Sequence, residues 1–463
     1  MGSDGSASRH AMLGQETGVP GSIGQTSRWT LHTFGTTLLA TAGSVGIAVI
    51  TARALGPDDK GAYDLVLATA ALFVSLVGLS LQAGITYVVA RGLGDVDRLL
   101  PWVVGIIVAQ TALIAVVTWG VDHTPLARAF FPPSSSTATR TAVVLIAAFS
   151  LIQNAARGVM IGRREITQAN LFELTGRSAH LGLFVLGILA LAWLGEEPTP
   201  GHFIWMAVLA TGFACGLYVS GVRPTARGDR GSSGIGQVVR FSLVAHAANV
   251  MQFLNYRLDT FFIGYFSGVG AVGIYTLSAT LAQLLWLLPQ SAAAVMVPVV
   301  ASADESGVDS APVAAGVSRG VVAVCTVAAI TMALSGPVVV PLVFGNAFSA
   351  GLEPLYLLLP GVIAFAPCVV LAGFFSGLGR PDVNLRASLA GLIATVTLDL
   401  ALIPSFGIRG AAIAKTVSYT VSAAVLVVGF SRMTGLAPGT FLIPRRRDAA
   451  TLIGAMVRPR GNR

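Results

Sequence analysis

Charge is what this chain has least of. Asp, Glu, Lys and Arg make up 11% of its 463 residues, against about 25% in soluble globular domains. A soluble protein this apolar could not cover its surface with water-compatible groups. With 54% hydrophobic residues and a mean hydropathy of +0.76, the chain reads as one dissolved in lipid. Lysine is nearly missing: Lys60 and Lys415 stand beside 27 Arg. With abundant Ala, Gly and Val, that skew reads as genomic base composition rather than mechanism. Cysteine is scarce too. Cys215, Cys325 and Cys368 sit singly in apolar stretches with no CxxC or Cys/His cluster, which argues against a metal centre and a disulfide framework. Each reads as a small buried hydrophobe.

Enzyme motifs are also missing. No GxxxxGK[ST] or HExxH occurs, so nothing suggests ATP hydrolysis or zinc proteolysis. The chain reads as a non-enzyme without cofactor. Asp95-Val96-Asp97 resembles the acidic pair of metal-dependent glycosyltransferases, but beside Arg91 and Arg98 it also reads as a solvated turn. No secretory signal is evident. Residues 1–27 are Gly/Ser-rich, lack an apolar core near the start and read as a disordered tail.

What the chain does have is long apolar runs. A spanning helix needs about 20 mostly apolar residues. Twelve stretches qualify: 33–55, 63–90, 99–119, 141–161, 171–194, 202–222, 238–266, 271–300, 313–335, 355–377, 386–404 and 410–430. The expected fold is an all-α membrane protein of about twelve transmembrane helices. The net charge of +8 sits in short loops and tails, where basic residues mark the cytoplasmic side, so no nucleic-acid partner is implied. With the N-terminus inside, the inside loops hold eleven basic residues, among them Arg91, Arg163, Arg227 and Arg380. The outside loops hold five: Arg53, Lys60, Arg128, Arg140 and Arg409. Both termini are therefore expected in the cytoplasm, with the protein in the cell membrane.

The sequence echoes itself. Gly56, Gly61 and Tyr63 match Gly268, Gly273 and Tyr275 at a constant offset, and Gly162-Arg163 with Asn170-Leu171 loosely matches Gly379-Arg380 with Asn384-Leu385. Two six-helix lobes follow as the expectation, a common transporter plan: an N-lobe over 28–222, a cytoplasmic linker over 223–237, a C-lobe over 238–432 and a basic tail over 433–463.

Polar residues at membrane depth are expensive and usually face a cavity or a partner. In the seventh span Ser242, His246, Asn249, Gln252, Tyr256 and Asp259 fall within an arc of about 140°. The stripe reads either as a seam satisfied by neighbouring helices or as a cavity wall. In the fifth span Asn170, Glu173, Arg177 and His180 share one face. Glu173 and Arg177 can pair with each other or serve a substrate. Gln153, Asn154 and Arg157 add a patch in the fourth span, and Arg257, Asp399 and Lys415 are further intramembrane charges, with Asp64 near the outer end of the second.

Several short stretches carry a family resemblance. They are Ala52-Arg53-Ala54-Leu55-Gly56-Pro57 with Gly61-Ala62-Tyr63; Tyr256-Arg257-Leu258-Asp259 with Gly273-Ile274-Tyr275; Phe344-Gly345-Asn346-Ala347-Phe348; Gly379-Arg380-Pro381; Leu402-Ile403-Pro404; and Gly407-Ile408-Arg409-Gly410-Ala411-Ala412. In this order the chain resembles, over roughly 30–430, the polysaccharide-biosynthesis flippases of the multidrug/oligosaccharidyl-lipid/polysaccharide exporter superfamily. The resemblance implies two six-helix lobes around a central cavity open alternately to either side. It implies a polyprenyl-diphosphate-linked glycan as cargo, membrane lipid around it and glycan-assembly enzymes as possible partners. Under that reading Arg157, Arg177, Arg257 and Lys415 are candidate diphosphate partners. Asp259 and Asp399 would hold those cations or sense an ion gradient. A Na⁺- or H⁺-coupled antiporter of the same superfamily is the first alternative. A membrane glycan polymerase or ligase is the second, though the short Pro/Ser-rich outside loop at 120–140 counts against it.

Overall fold

The computed structural model describes residues 23–121, 123–133, 135–223 and 234–444. Those residues are helical throughout, without a β-strand, as a chain in hydrocarbon must be to satisfy its own backbone. Among the described residues nine helices are long and apolar enough to span a bilayer. Two of them, α1 (Ile23–Val77) and α13 (Pro381–Thr434), leave helical geometry at Gly56 and Gly407 and so each carry two spans. One further helix outside those nine, α8 (Ile235–Ser267), is too polar to qualify by composition, because it carries the stripe. These make the twelve spans. Their outer faces suit lipid: Trp193 is 86% exposed and Leu334 78%.

The N-lobe is α1, α2 (Leu81–Ala90), α3 (Val96–Val121), the short α4 (Ala127–Phe130), α5 (Thr137–Gly162), α6 (Ile166–Leu194) and α7 (Pro200–Gly221). The C-lobe is α8, α9 (Val269–Leu284), α10 (Leu287–Glu305), α11 (Ala311–Phe344), α12 (Leu352–Gly377) and α13. Each lobe has its own apolar core. One centres on Val66, Ile85, Ala147 and Phe203, the other on Tyr275, Leu355, Val362 and Ala411.

The internal repeat is visible in the corners. Gly56 (φ 70, ψ 180) and Gly268 (φ 85, ψ 174) turn the chain in the same way, in a region only glycine enters freely. The turns after Ala90 and Glu305 match as well. Gly92 and Gly307 have φ 64 and 66, and Leu93 N–H bonds Val88 O as Val308 N–H bonds Ala303 O, the Schellman pattern of a helix C-terminus. The second echo needs a correction of register: the residue equivalent to Gly379 (φ 67) is Arg164 (φ 64), not Gly162. Glu165 N–H bonds Met160 O as Arg380 N–H bonds Phe375 O. A non-glycine holds the left-handed position in one copy, so composition did not reveal it.

Two expected spans are broken. The second stops at Gly78–Ser80, where Leu79 and Ser80 have φ 50 and 49, and resumes as α2. The eighth breaks at Leu285–Trp286 into α9 and α10. Other boundaries also shift. Helix α1 begins at Ile23, inside the expected tail, and α14 (Pro438–Leu442) lies in the stretch read as the basic C-terminal tail. Residues 1–22, 224–233 of the linker and 445–463 of that tail lie outside the described residues.

Candidate functional site

The break in span two frees backbone carbonyls at membrane depth, where an unsatisfied group costs several kcal/mol. Two helices, α3 and α8, supply donors. Gln110 Nε2 bonds Val77 O at 2.8 Å, His246 Nε2 bonds Leu76 O at 3.0 Å, and Ser242 Oγ bonds Ser80 O at 3.4 Å. Asn249 Nδ2 donates to Ser80 Oγ at 2.9 Å. The α8 stripe therefore divides. Its first half, through His246, serves as a seam against α1 and α2. Beyond it Asn249 and Gln252 are exposed, and Gln252 Nε2 reaches Tyr256 Oη at 3.4 Å.

A cavity of about 700 Å³ lies against the break, walled by α2 with α5 and α8 and lined by Ser80, Gln82, Asn154 and Asn249 among others. Along α5 the face of Asn154 and Ile161, both in its wall, also carries Arg157, one turn on.

In the N-lobe, Glu173 clamps two guanidinium groups. Its Oε2 lies 3.3 Å from Arg157 Nη1 and its Oε1 3.1 Å from Arg177 Nε. Tyr218 Oη donates to Oε2 at 3.3 Å, and Arg177 Nη1 reaches Ser44 Oγ on span one at 3.4 Å. The two arginine side chains stay 33% and 47% exposed, so each keeps unused N–H donors. One carboxylate against two guanidinium groups leaves a positive site open to a ligand. Glu173 and Arg177 thus pair with each other and remain available.

The C-lobe is the reverse. Asp259 and Lys415 are 2% and 3% exposed and form an ion pair of 3.0 Å. Tyr275 Oη donates to Asp259 Oδ2, and Lys415 Nζ donates to Asn255 O at 2.7 Å. Asp399, 1% exposed, has no donor on either carboxylate oxygen among the described residues. Two carboxylates face one ammonium, sealed from solvent. Around Lys415 lie Tyr419, 5.7 Å from Nζ to ring centroid, and behind it Trp286, Phe365 and Tyr256. Arg257 is exposed and makes no hydrogen bond or ion pair among the described residues, and its position on α8 is about 200° from Asp259.

Nine of the eleven residues singled out in the sequence thus fall into three groups: Arg157, Glu173 and Arg177; Asp259, Asp399 and Lys415; and Asn249, Gln252 and Tyr256 beside the cavity and the aromatic group. His246 is engaged in the helix seam, and Arg257 stands apart. Asp64, paired with Lys60 and Thr276, is not near Glu173's cluster in partners. Asp95 accepts from the Asp97 N–H at 3.2 Å and so caps α3. Sequence reasoning missed Tyr275, Tyr218, Ser44 and Gln82, whose places depend on helix packing.

The lobes meet unevenly. Near the Gly56 corner α1 crosses α9, α4 packs on α8, and Arg53 donates to the carbonyls of Leu342 and Val343, to the latter at 2.9 Å. Toward the opposite end α2 packs on α8. Their repeat equivalents, α10 and the first half of α1, do not pack along their lengths, and Leu38, Leu39 and Val295 there are exposed.

Two lobes of six spans with this crossing define the fold of the multidrug/oligosaccharidyl-lipid/polysaccharide exporters. The chain overlays an inward-facing multidrug-resistance transporter of that superfamily with TM-score 0.65 at 13% identity, covering 87% of this chain and 97% of that one. It overlays the lipid II flippase MurJ, in an inward closed conformation, with TM-score 0.69 at 10% identity, covering 93% and 91%. Within that fold the chain belongs to the polysaccharide biosynthesis protein family, whose model matches residues 50–352. It is also 27% identical over 184 residues to AglR of Haloferax volcanii, described as a probable flippase; the match spans 37% of each protein.

Proposed function

We propose that the chain is a flippase that carries a polyprenyl-diphosphate-linked oligosaccharide or polysaccharide repeat unit from the cytoplasmic to the outer leaflet by alternating access. The observation that carries this reading is the half-exposed pair Arg157 and Arg177 on Glu173. Planar guanidinium forks match phosphate oxygens bidentately, and a net positive site favours an anionic headgroup. The separation of α10 from the first half of α1 leaves apolar side chains where a prenyl tail would remain in lipid while its headgroup enters. The basic end then faces the cytoplasm of the cell membrane, with both termini there. Two basic residues at the other end are already paired with carboxylates: Lys60 with Asp64, and Arg409 with Glu353 at 2.8 Å. Glycan-assembly enzymes are the fitting partners, and no catalytic step is required.

Asp259, Asp399 and Lys415 favour a coupling role in the same reading. A buried carboxylate without a donor is costly, and a monovalent cation or a proton relieves that cost. The same cluster is what a Na⁺- or H⁺-coupled antiporter would need, but the open arginine pair disfavours cationic cargo. A polymerase or ligase is disfavoured because the 123–133 turn is built into the lobe contact, with Thr69 Oγ1 bonding Phe130 O at 2.7 Å and Phe130 packed on Phe261.

Proteoliposomes holding a fluorescent polyprenyl-diphosphate sugar test the reading. The wild type should expose the label to a membrane-impermeant quencher. Arg157→Gln and Arg177→Gln should each slow this at least tenfold, while Arg177→Lys, which keeps charge and loses the fork, should fall between. Unchanged rates in both Gln variants would remove the proposed diphosphate site.

A further inference from the structure

The cavity beside the broken second span has a chemistry of its own. Its volume of about 700 Å³ lies in the range of roughly 300–1,000 Å³ typical of small-molecule sites. Gln82 and Asn154 line it, are half-buried, and neither side-chain amide hydrogen-bonds another described residue. Each therefore offers a free donor and a free acceptor. Ser75 and the carbonyl side of Asn249 add further polar atoms to the same wall.

At one side Tyr87 and Phe241 stack in parallel, 4.5 Å between centroids at 10°, and the Arg91 guanidinium lies 4.9 Å from the Tyr87 ring centre. Tyr87 is thus covered by Phe241 on one face and by Arg91 on the other, and the aromatic face left open is the outer one of Phe241, a lining residue 41% exposed. Beside free amides it fits a pyranose, whose axial C–H groups lie on a ring while its hydroxyls meet donors and acceptors. No carboxylate lines the cavity, and its one charged lining residue is Arg91. An ammonium there would find no counter-ion and would be repelled. The wall is also costly to make. Leu79 and Ser80 stand in left-handed conformation, at roughly 1–2 kcal/mol for each residue, and such strain gathers at functional sites. The break in the C-lobe, at Leu285–Trp286, has no positive φ, so the left-handed pair belongs to one lobe only.

We propose that this cavity is the sugar subsite: it takes the saccharide end of the lipid-linked cargo and selects neutral or acidic sugars over those with a free amine. The inference rests on the flippase reading. Arg157 lies one turn from Asn154 on the same face of α5, so a diphosphate held by Arg157 and Arg177 presents its sugar along that face to the cavity.

The test uses the whole protein in lipid nanodiscs and five probes: farnesyl diphosphate, and its glucose, N-acetylglucosamine, glucuronic acid and glucosamine esters. At least one of the three sugars without a free amine should bind tenfold or more tightly than bare farnesyl diphosphate, and the glucosamine ester should gain nothing. Gln82→Ala and Asn154→Ala remove no internal hydrogen bond and should melt like the wild type. Each should erase most of the sugar gain and leave the affinity for farnesyl diphosphate unchanged. If the bare lipid binds but no sugar improves it, or if the alanine variants keep the gain, the subsite is refuted and the flippase reading survives. If no probe binds at all, the flippase reading fails and takes the subsite with it.

Discussion

Thr276 donates a hydrogen bond to Asp64, and the two residues occupy the same place in the two halves of the chain, 212 positions apart. Lys60 pairs with the same carboxylate from one turn earlier. A few residues away Gly61 meets Gly273, its own equivalent. A Cβ at Gly61 would lie 1.8 Å from Val269 O, and one at Gly273 would lie 2.1 Å from Pro57 O. These contacts exchange under the repeat, so the pseudo-two-fold axis runs through this crossing.

The crossing tolerates no side chain. Both clashes are with backbone, which cannot rotate away. Gly61→Ala should therefore lower the melting temperature of the detergent-solubilised protein, with an overpacking cost of about 1–3 kcal/mol or more. Gly105→Ala, where nothing lies within 4 Å, should leave it unchanged. Equal melting of the two variants would mean that the lobes do not meet through this pair.

Asp259 and Lys415 form a buried pair, and breaking such a pair leaves an uncompensated charge costing about 3–5 kcal/mol. Asp259→Asn alone and Lys415→Met alone should each lower stability by an amount of that order. The double variant should recover much of it, as a double-mutant cycle on thermal melts would read. Additive losses would show that the two groups are not coupled.

Asp399 should behave differently. Because its carboxylate has no donor, Asp399→Asn removes a burden, and its melting temperature should equal or exceed the wild type's. If the cluster couples transport to an ion, the same variant should lose the dependence of flipping on an imposed Na⁺ or proton gradient. A stable variant whose gradient dependence is intact would exclude Asp399 from coupling.

Helix α8 should show a divided face to water-soluble thiol reagents. With Cys215, Cys325 and Cys368 replaced, cysteines at Asn249 and Gln252 should react, whereas those at Phe261 and Ile263, both buried, should not. Reaction at all four positions would contradict the packing of α8 between the lobes.

Orientation is checked on intact cells. A cysteine at Glu196 should react with an impermeant reagent from outside, and one at Asp97 only after permeabilisation. The reverse pattern would invert the topology and with it the direction of transport proposed above.

The sequence by itself determined the solvent, the helical class, the twelve spans and the repeat. These follow from properties local to the chain: run length, scarcity of charge, and glycines at corners such as Gly56 and Gly268 that only a positive φ explains. It also marked which intramembrane residues needed partners, because a polar group in hydrocarbon is expensive wherever it points. Tertiary structure alone decided who the partners are. Glu173 gathers Arg157 from another helix as well as its neighbour Arg177. Asp259 meets Lys415 from 156 residues away. His246, read as a possible cavity residue, instead satisfies a carbonyl freed by a break at Leu79 and Ser80 that no glycine or proline at those two positions announces. The register of the second echo, too, was hidden by an arginine in a left-handed turn. Such assignments depend on distances between helices, and a sequence pattern carries the angle of a residue around its own helix but not which neighbour that angle faces.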